Sequence, residues 1–136
     1  MIEIKHKLLI KASIDDVYNA VTTQKGLESW WAKQTLAKPE IGFINVFTFG
    51  TTKNEMEVTA LDPNQKVVWK VLQSGEEWIG TTLTFELEAQ EDKTILRFNH
   101  SGWRAVTDHY AECNFAWARF MISLKSYCET GTGTPS

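Results

Sequence analysis

TDHYAECNFAWARFMISLKSYC, residues 107–128, is the stretch whose reading decides the fold. Wound at about 100° per residue, Tyr110, Asn114, Trp117, Met121, Leu124 and Cys128 fall on one stripe, and Glu112, Arg119, Ser123 and Ser126 gather opposite it. The stretch therefore predicts an amphipathic helix. Its apolar arc is wide, because Cys113, Phe120 and Tyr127 extend one flank and Phe115, Ala118 and Ile122 the other. So broad a face needs cover from the rest of the chain. Asn114 is the polar residue inside the stripe, which makes it a candidate ligand contact.

The cover comes from residues with period two. Ile2, Ile4, His6, Leu8 and Ile10 alternate with Glu3, Lys5, Lys7 and Lys11, which predicts a strand with one solvated face. Ser13 to Asp16 has the shape of a helix cap, followed by Val17, Ala20 and Val21 at helical spacing. Gly26 is read as the breaker of that helix, with a second short turn at Leu27, Trp30 and Trp31. Thr35 to Gly42 is irregular. Beyond it, turn signals separate strands at Phe43–Phe49, Glu55–Leu61, Lys66–Leu72, Thr81–Ala89 and Thr94–His100. Their inward sets include Val67, Trp69 and Val71, then Leu83, Phe85 and Leu87, then Leu96, Phe98 and His100. Short turns between consecutive strands predict an antiparallel meander. The expectation is an α+β fold in which six strands curl around the last helix, as a single domain over residues 1–130 with a flexible tail at 131–136.

Composition narrows the function. A chain of 136 residues with 43% hydrophobic and 23% charged residues suits one globular domain. A net charge of -3, with dispersed Lys and Arg, provides no basic footprint for nucleic acid. No apolar run reaches the ~20 residues of a membrane span and no signal-type leader opens the chain, so a cytoplasmic location is expected. Cys113 and Cys128, about 22 Å apart along a helix, are too distant for a disulfide and are expected reduced and buried. The histidines and cysteines lack metal-ligand spacing, and there is no phosphate loop, dinucleotide fingerprint or nucleophile elbow. No metal or cofactor is implied. The acidic pairs Asp15-Asp16 and Glu76-Glu77 fit helix capping and loop solvation, and Trp78 beside the second pair either gates a cavity or lies on the surface.

Several short motifs follow one another in a recognisable order: Ala12-Ser-Ile-Asp-Asp-Val17, Leu27-Glu-Ser-Trp-Trp31, Val58-Thr-Ala-Leu-Asp-Pro63 leading into Lys66-Val-Val-Trp-Lys70, Thr94-Ile-Leu-Arg-Phe-Asn-His100 with Ser101-Gly-Trp103, and Trp117 with Leu124-Lys-Ser-Tyr127. The ordered set resembles the START and Bet v 1-like (SRPBCC) superfamily, and within it the homologues of the activator of the heat-shock-protein-90 ATPase. The resemblance implies a helix-grip fold. Where that branch usually has Gly-Gly and Gly-Trp, this chain has Ile41-Gly42-Phe43 and Ala116-Trp117. Superfamily relatives include polyketide cyclases and dehydratases as well as binding proteins.

A helix gripped by a curled sheet tends to leave a cavity between them. The inward registers predict a lining of Trp30, Trp31, Phe47, Phe49, Met56, Trp69, Phe85, Phe98, His100, Tyr110, Asn114, Trp117 and Met121. The expected partner is an apolar or aromatic small molecule, held by Asn114, His100 and Tyr110 as polar contacts. His100 is read either as a core histidine bonded to a backbone carbonyl or as a polar anchor and proton-transfer group. With the second role it becomes the catalytic candidate of a cyclase-like enzyme. A co-chaperone-like interaction module using the outer sheet face is the remaining alternative. Asn114 and His100 are expected to face a common space.

Overall fold

The computed structural model describes residues 1–136 and runs β1 (Ile2–Ile10), α1 (Ile14–Thr22), α2 (Gln24–Trp30), β2 (Gln34–Leu36), β3 (Ile44–Phe49), β4 (Thr52–Asp62), β5 (Lys66–Gln73), β6 (Thr82–Gln90), β7 (Lys93–Trp103) and α3 (Asp108–Thr130). Every strand pairing is antiparallel, in a sheet ordered β1-β7-β6-β5-β4-β3-β2. This is the α+β helix-grip arrangement, with the first and second strands at the two edges. Cross-strand register brings like faces together: Trp69 opposes Leu83, Phe85 opposes Phe98, and Leu83 opposes His100. Those rows, with Ile4, Phe47, Met56 and Val58, form the buried concave face against α1, α2 and α3.

The sheet has seven strands where alternation predicts six. The extra one, β2, is a three-residue edge strand that pairs only with β3, too short for a period-two pattern to show. The first helical break also moves. Thr23, not Gly26, separates α1 from α2, and its hydroxyl accepts the Gly26 N–H at 3.1 Å as the cap of α2. Gly26 lies inside α2 because a Cβ there would meet the Ala20 Cα and carbonyl oxygen at 2.7 Å, so the missing side chain lets the two helices touch.

Helix α3 starts at Thr107, whose hydroxyl accepts the Tyr110 N–H, and stops at Gly131 in the left-handed conformation with φ 86°. Its buried residues are Cys113, Trp117, Met121, Ser123 and Leu124. Asn114 is exposed. The buried arc is rotated toward Ser123 because more than the sheet covers this helix. Residues 131–136, expected to form a flexible tail, run back along it. Ser123 Oγ donates to Trp30 O and accepts Thr134 N–H, both at 2.8 Å. Lys33 N–H donates to Ser136 O and Ser136 N–H donates to Trp31 O.

The β1 edge is closed by the same helix. Tyr110 Oη donates to Glu3 O at 2.8 Å and Lys125 Nζ to Leu9 O at 2.6 Å, so two edge carbonyls that would template another strand are occupied. Tyr110 is thereby a structural tie between helix and strand. No helix is long and apolar enough to cross a membrane.

Candidate functional site

Most of the predicted lining is core. Trp31 sits among Trp30, Phe47, Phe49, Trp69, Trp117 and Phe120 with ring centroids 4.4 to 6.2 Å away. Phe85, Phe98 and Trp117 continue the cluster, with Phe98 and Trp117 4.3 Å apart. Rings at these separations and tilts fill the space beneath the middle of α3. Trp30, Phe47, Met56, Trp69, Phe85, Phe98, Trp117 and Met121 are all buried within it.

His100 is fully buried, and its two ring nitrogens have fixed roles. Trp117 Nε1–H can only donate, and it reaches His100 Nδ1 at 3.1 Å, so Nδ1 is the bare, accepting nitrogen. The proton of the neutral ring is then on Nε2, which donates to Thr81 Oγ1 at 2.8 Å. Thr81 in turn donates to Trp78 O at 2.5 Å. The chain of donors is complete, and burial pushes the imidazole pKa down to about 3. A proton on Nδ1 would confront the Trp117 N–H, so the ring stays neutral at ordinary pH.

Trp78 seals this histidine, its ring 4.6 Å from the imidazole. The loop carrying it, between β5 and β6, is tied to the segment before α3. Arg104 donates to Glu76 O and Ile79 O, and Thr107 Oγ1 donates to Glu77 Oε1 at 2.6 Å. Trp78 is thus a positioned ring, and Glu77 does more than solvate a loop.

Open space lies on the other side of Trp78. A cleft of about 330 Å³ is lined by Trp31, Phe49, Thr52, Asn54, Ser74, Gly75, Trp78, His109, Cys113, Ala116 and Phe120. Its floor and walls are aromatic. At one end Ser74 Oγ donates to Asn54 Oδ1 at 2.5 Å, and Asn54 Nδ2 donates to Phe47 O. At the other, Trp78 Nε1 donates to Cys113 Sγ at 3.3 Å, with His109 Nε2 3.5 Å from the same sulfur. Burial raises the Cys113 thiol pKa, partly opposed by the Trp78 hydrogen bond, and burial raises Cys128 to about 12. Both cysteines are free, and both are thiols rather than thiolates at neutral pH.

Of the predicted lining residues, Trp31 and Phe49 face this cleft, whereas His100 lies behind Trp78 and Asn114 is exposed on α3. The expected joint Asn114–His100 site is not formed. Cys113, one residue earlier and about 100° round the helix, takes the inward place expected for Asn114. Asn54, Ser74 and His109 carried no pattern in the sequence that marked them as neighbours. Phe120 and Cys113 did, as the flank that widens the apolar arc. No group of three or more His, Cys, Asp or Glu side chains is arranged to hold a metal ion.

The profile of the family described as "Activator of Hsp90 ATPase homolog 1-like protein" matches residues 11–129. Among solved structures, the Aha1 dimer from Colwellia psychrerythraea is 40% identical, with a TM-score of 0.90, 98% of this chain covered and 100% of that one. Protein BH1534 of Bacillus halodurans is 22% identical, with a TM-score of 0.80 over 95% of this chain and 98% of the other. CalU16 from Micromonospora echinospora shares the fold at 15% identity, with a TM-score of 0.76 over 97% of this chain and 76% of its own. No curated protein matches the chain.

Proposed function

For a chain that belongs to the Activator of Hsp90 ATPase homolog 1-like family, we propose a small-molecule-binding function, with an apolar or aromatic ligand held in the cleft between α3, the β3–β4 hairpin and the β5–β6 loop. The cleft itself carries this reading. About 330 Å³ lined by Trp31, Phe49, Trp78 and Phe120, with Thr52, Asn54, Ser74 and His109 as polar groups, matches the size and chemistry of small-molecule sites. The ligand lies beside the aromatic core instead of inside it, because the rings under α3 leave no room there. A cyclase-like reaction has less support, since its proton-transfer candidate, His100, is sealed behind Trp78 with both nitrogens engaged.

The test is thermal unfolding against a panel of naphthalene-sized apolar compounds. A ligand at a hundred times its Kd stabilises by about 2.7 kcal/mol, a shift on the order of 10 °C for a domain of this size. Ala116→Phe, placed on the cleft wall and half-buried, is expected to abolish the shift while leaving the unliganded melting temperature within a few degrees. Absence of any shift with the wild-type protein across the panel, or an equal shift in the variant, argues against the cleft.

A second reading concerns assembly. The relative from Colwellia psychrerythraea was solved as a dimer, and α3 here presents Phe115 at 70% and Ile122 at 66% exposure, two turns apart on one outer face. The outer sheet face offers Glu86, Glu88, Arg97 and Lys70 instead. We propose that a second copy of the chain covers the helix face.

A further inference from the structure

We infer that the ligand of this cleft carries a compact organic cation, such as a quaternary ammonium group, on its apolar body, and that the part-exposed rings of Phe49, Trp78 and Phe120 recognise it. This rests on the ligand-binding reading above and narrows it to a chemical class.

The apolar surface of the cleft is of one kind. Its large apolar side chains are Trp31, Phe49, Trp78 and Phe120, with no Leu, Ile, Val or Met among them, although the core of the protein uses all four of those types. Trp31 is fully buried and only backs the wall. Phe49, Trp78 and Phe120 are part-exposed, and they arrive from the end of β3, from the β5–β6 loop and from α3. The Phe49 ring lies 5.6 Å from Trp31 and 6.5 Å from Phe120 between centroids, so the aromatic surface is continuous from β3 to α3. Aliphatic side chains hold a neutral hydrocarbon as well as rings do. A cation is different, because only a ring carries a quadrupole with a negative face.

The charges around the cleft point the same way. No Lys or Arg lines it. Arg104 is spent on the carbonyls of Glu76 and Ile79, Lys53 borders a separate hollow with Leu36 and Val46, and Arg119 borders the groove against Thr134 and Ser136. The carboxylates of Glu112 and Glu77, by contrast, lie near enough to Cys113 on the cleft wall that both add to the upward push of burial on its thiol, and no positive charge offsets them. Ser74 gives its hydroxyl proton to Asn54 Oδ1, which leaves its oxygen only to accept. An anion entering the cleft therefore meets carboxylates and no fixed positive charge. A cation meets ring faces in a space partly withdrawn from water, where that attraction is stronger than on open surface.

The experiment uses three probes with a benzene body: phenyltrimethylammonium, tert-butylbenzene, which has the same shape without the charge, and benzoate, which has the opposite charge. The imidazole of His109 is the one basic group of the lining, so the titrations are made at pH 8, above the histidine range. Calorimetry on the wild-type protein is expected to show the cation binding about tenfold more tightly than its neutral isostere, and no benzoate binding where the cation saturates. Phe120→Leu keeps an apolar side chain and removes a ring; it is expected to weaken the cation about fivefold and to leave the neutral probe within about twofold. Because Phe120 also packs on Trp117, a second variant stays on the surface. Glu112→Gln changes an exposed side chain and is expected to weaken the cation about twofold at low salt, with no effect on the neutral probe and none on either at high salt. A neutral isostere or a benzoate that binds as tightly as the cation, a preference that survives Phe120→Leu in full, or a cation indifferent to Glu112→Gln at low salt each overturns the assignment while leaving ligand binding intact. Failure of all three probes, with thermal shifts from the neutral apolar panel, also overturns this inference alone; failure of the probes and the panel together overturns the ligand-binding reading with it.

Discussion

Lowering the pH from 7.5 to 5.0 is expected to remove about 2 kcal/mol of stability through one side chain, His100. The imidazole titrates near 3 in the folded protein because burial disfavours its charged form, against 6.5 for an unperturbed histidine. A folded-state pKa depressed below the unfolded one means that the unfolded chain takes up the proton first as the pH falls. The contribution is therefore complete above pH 6.5 and is lost progressively down to about pH 3. At pH 5 the unfolded ensemble is favoured by a factor of roughly 30, which is the ~2 kcal/mol quoted. The assay is urea unfolding of the wild type and of His100→Asn at both pH values. The variant starts less stable, since it loses the ring and the bond to Thr81, but its loss between the two pH values is expected to be smaller by that amount. His6 and His109 are common to both proteins and cancel in the difference. The carboxyls of Glu3, held low by Lys5 and Asn99, and of Glu129, held low by the Lys11 N–H and Lys125, lose their contributions at still lower pH. Equal pH dependence in the two proteins refutes the reasoning, because it means that the ring either charges readily in the fold or is not buried there.

Two other results are expected. Ser123→Ala removes the donor to Trp30 O and the acceptor of Thr134 N–H; a loss of about 1–3 kcal/mol, with faster amide exchange at Thr134 and Ser136, is expected, and unchanged exchange shows that the 131–136 segment is held by something else. For assembly, light scattering is expected to give twice the monomer mass for the wild type and the monomer mass for Phe115→Asp with Ile122→Asp, whereas a wild-type monomer at high concentration or a dimer that survives both changes rejects the helix face as the interface.

The fold was legible because its instructions are local and repeated. Each long strand alternates with period two, and a single residue of slip would have turned its whole apolar set outward. The inward rows at Val67-Trp69-Val71, Leu83-Phe85-Leu87 and Leu96-Phe98-His100 accordingly came out on the buried face. Caps at Ser13 and Thr107 act within three residues of themselves, as Asp16 N–H and Tyr110 N–H show. The features that escaped were those with little local signal. β2 is three residues long, and the role of Gly26 depends on where α1 lies.

The site was legible in kind but not in place. That aromatic residues would line one side of the helix follows from composition and periodicity. Which rings close on one another, and which leave space, depends on how their volumes interlock, and that is a property of the packed molecule. Asn114 illustrates it. Its place in a helical stripe is a statement about angle alone, and the angle of burial was set by α2 and the 131–136 segment covering the Ser123 side of α3.

The sequence alone determined an antiparallel α+β domain around a long C-terminal helix, because hydrophobic periodicity and capping chemistry are written within a few residues of where they act. Only the tertiary structure decided that His100 is a sealed neutral core group and that Asn54, Ser74, Trp78, His109 and Cys113 meet in one cleft. Those outcomes depend on distances between residues far apart in the chain, and hydrogen-bond satisfaction can be reckoned only once every neighbour is in position.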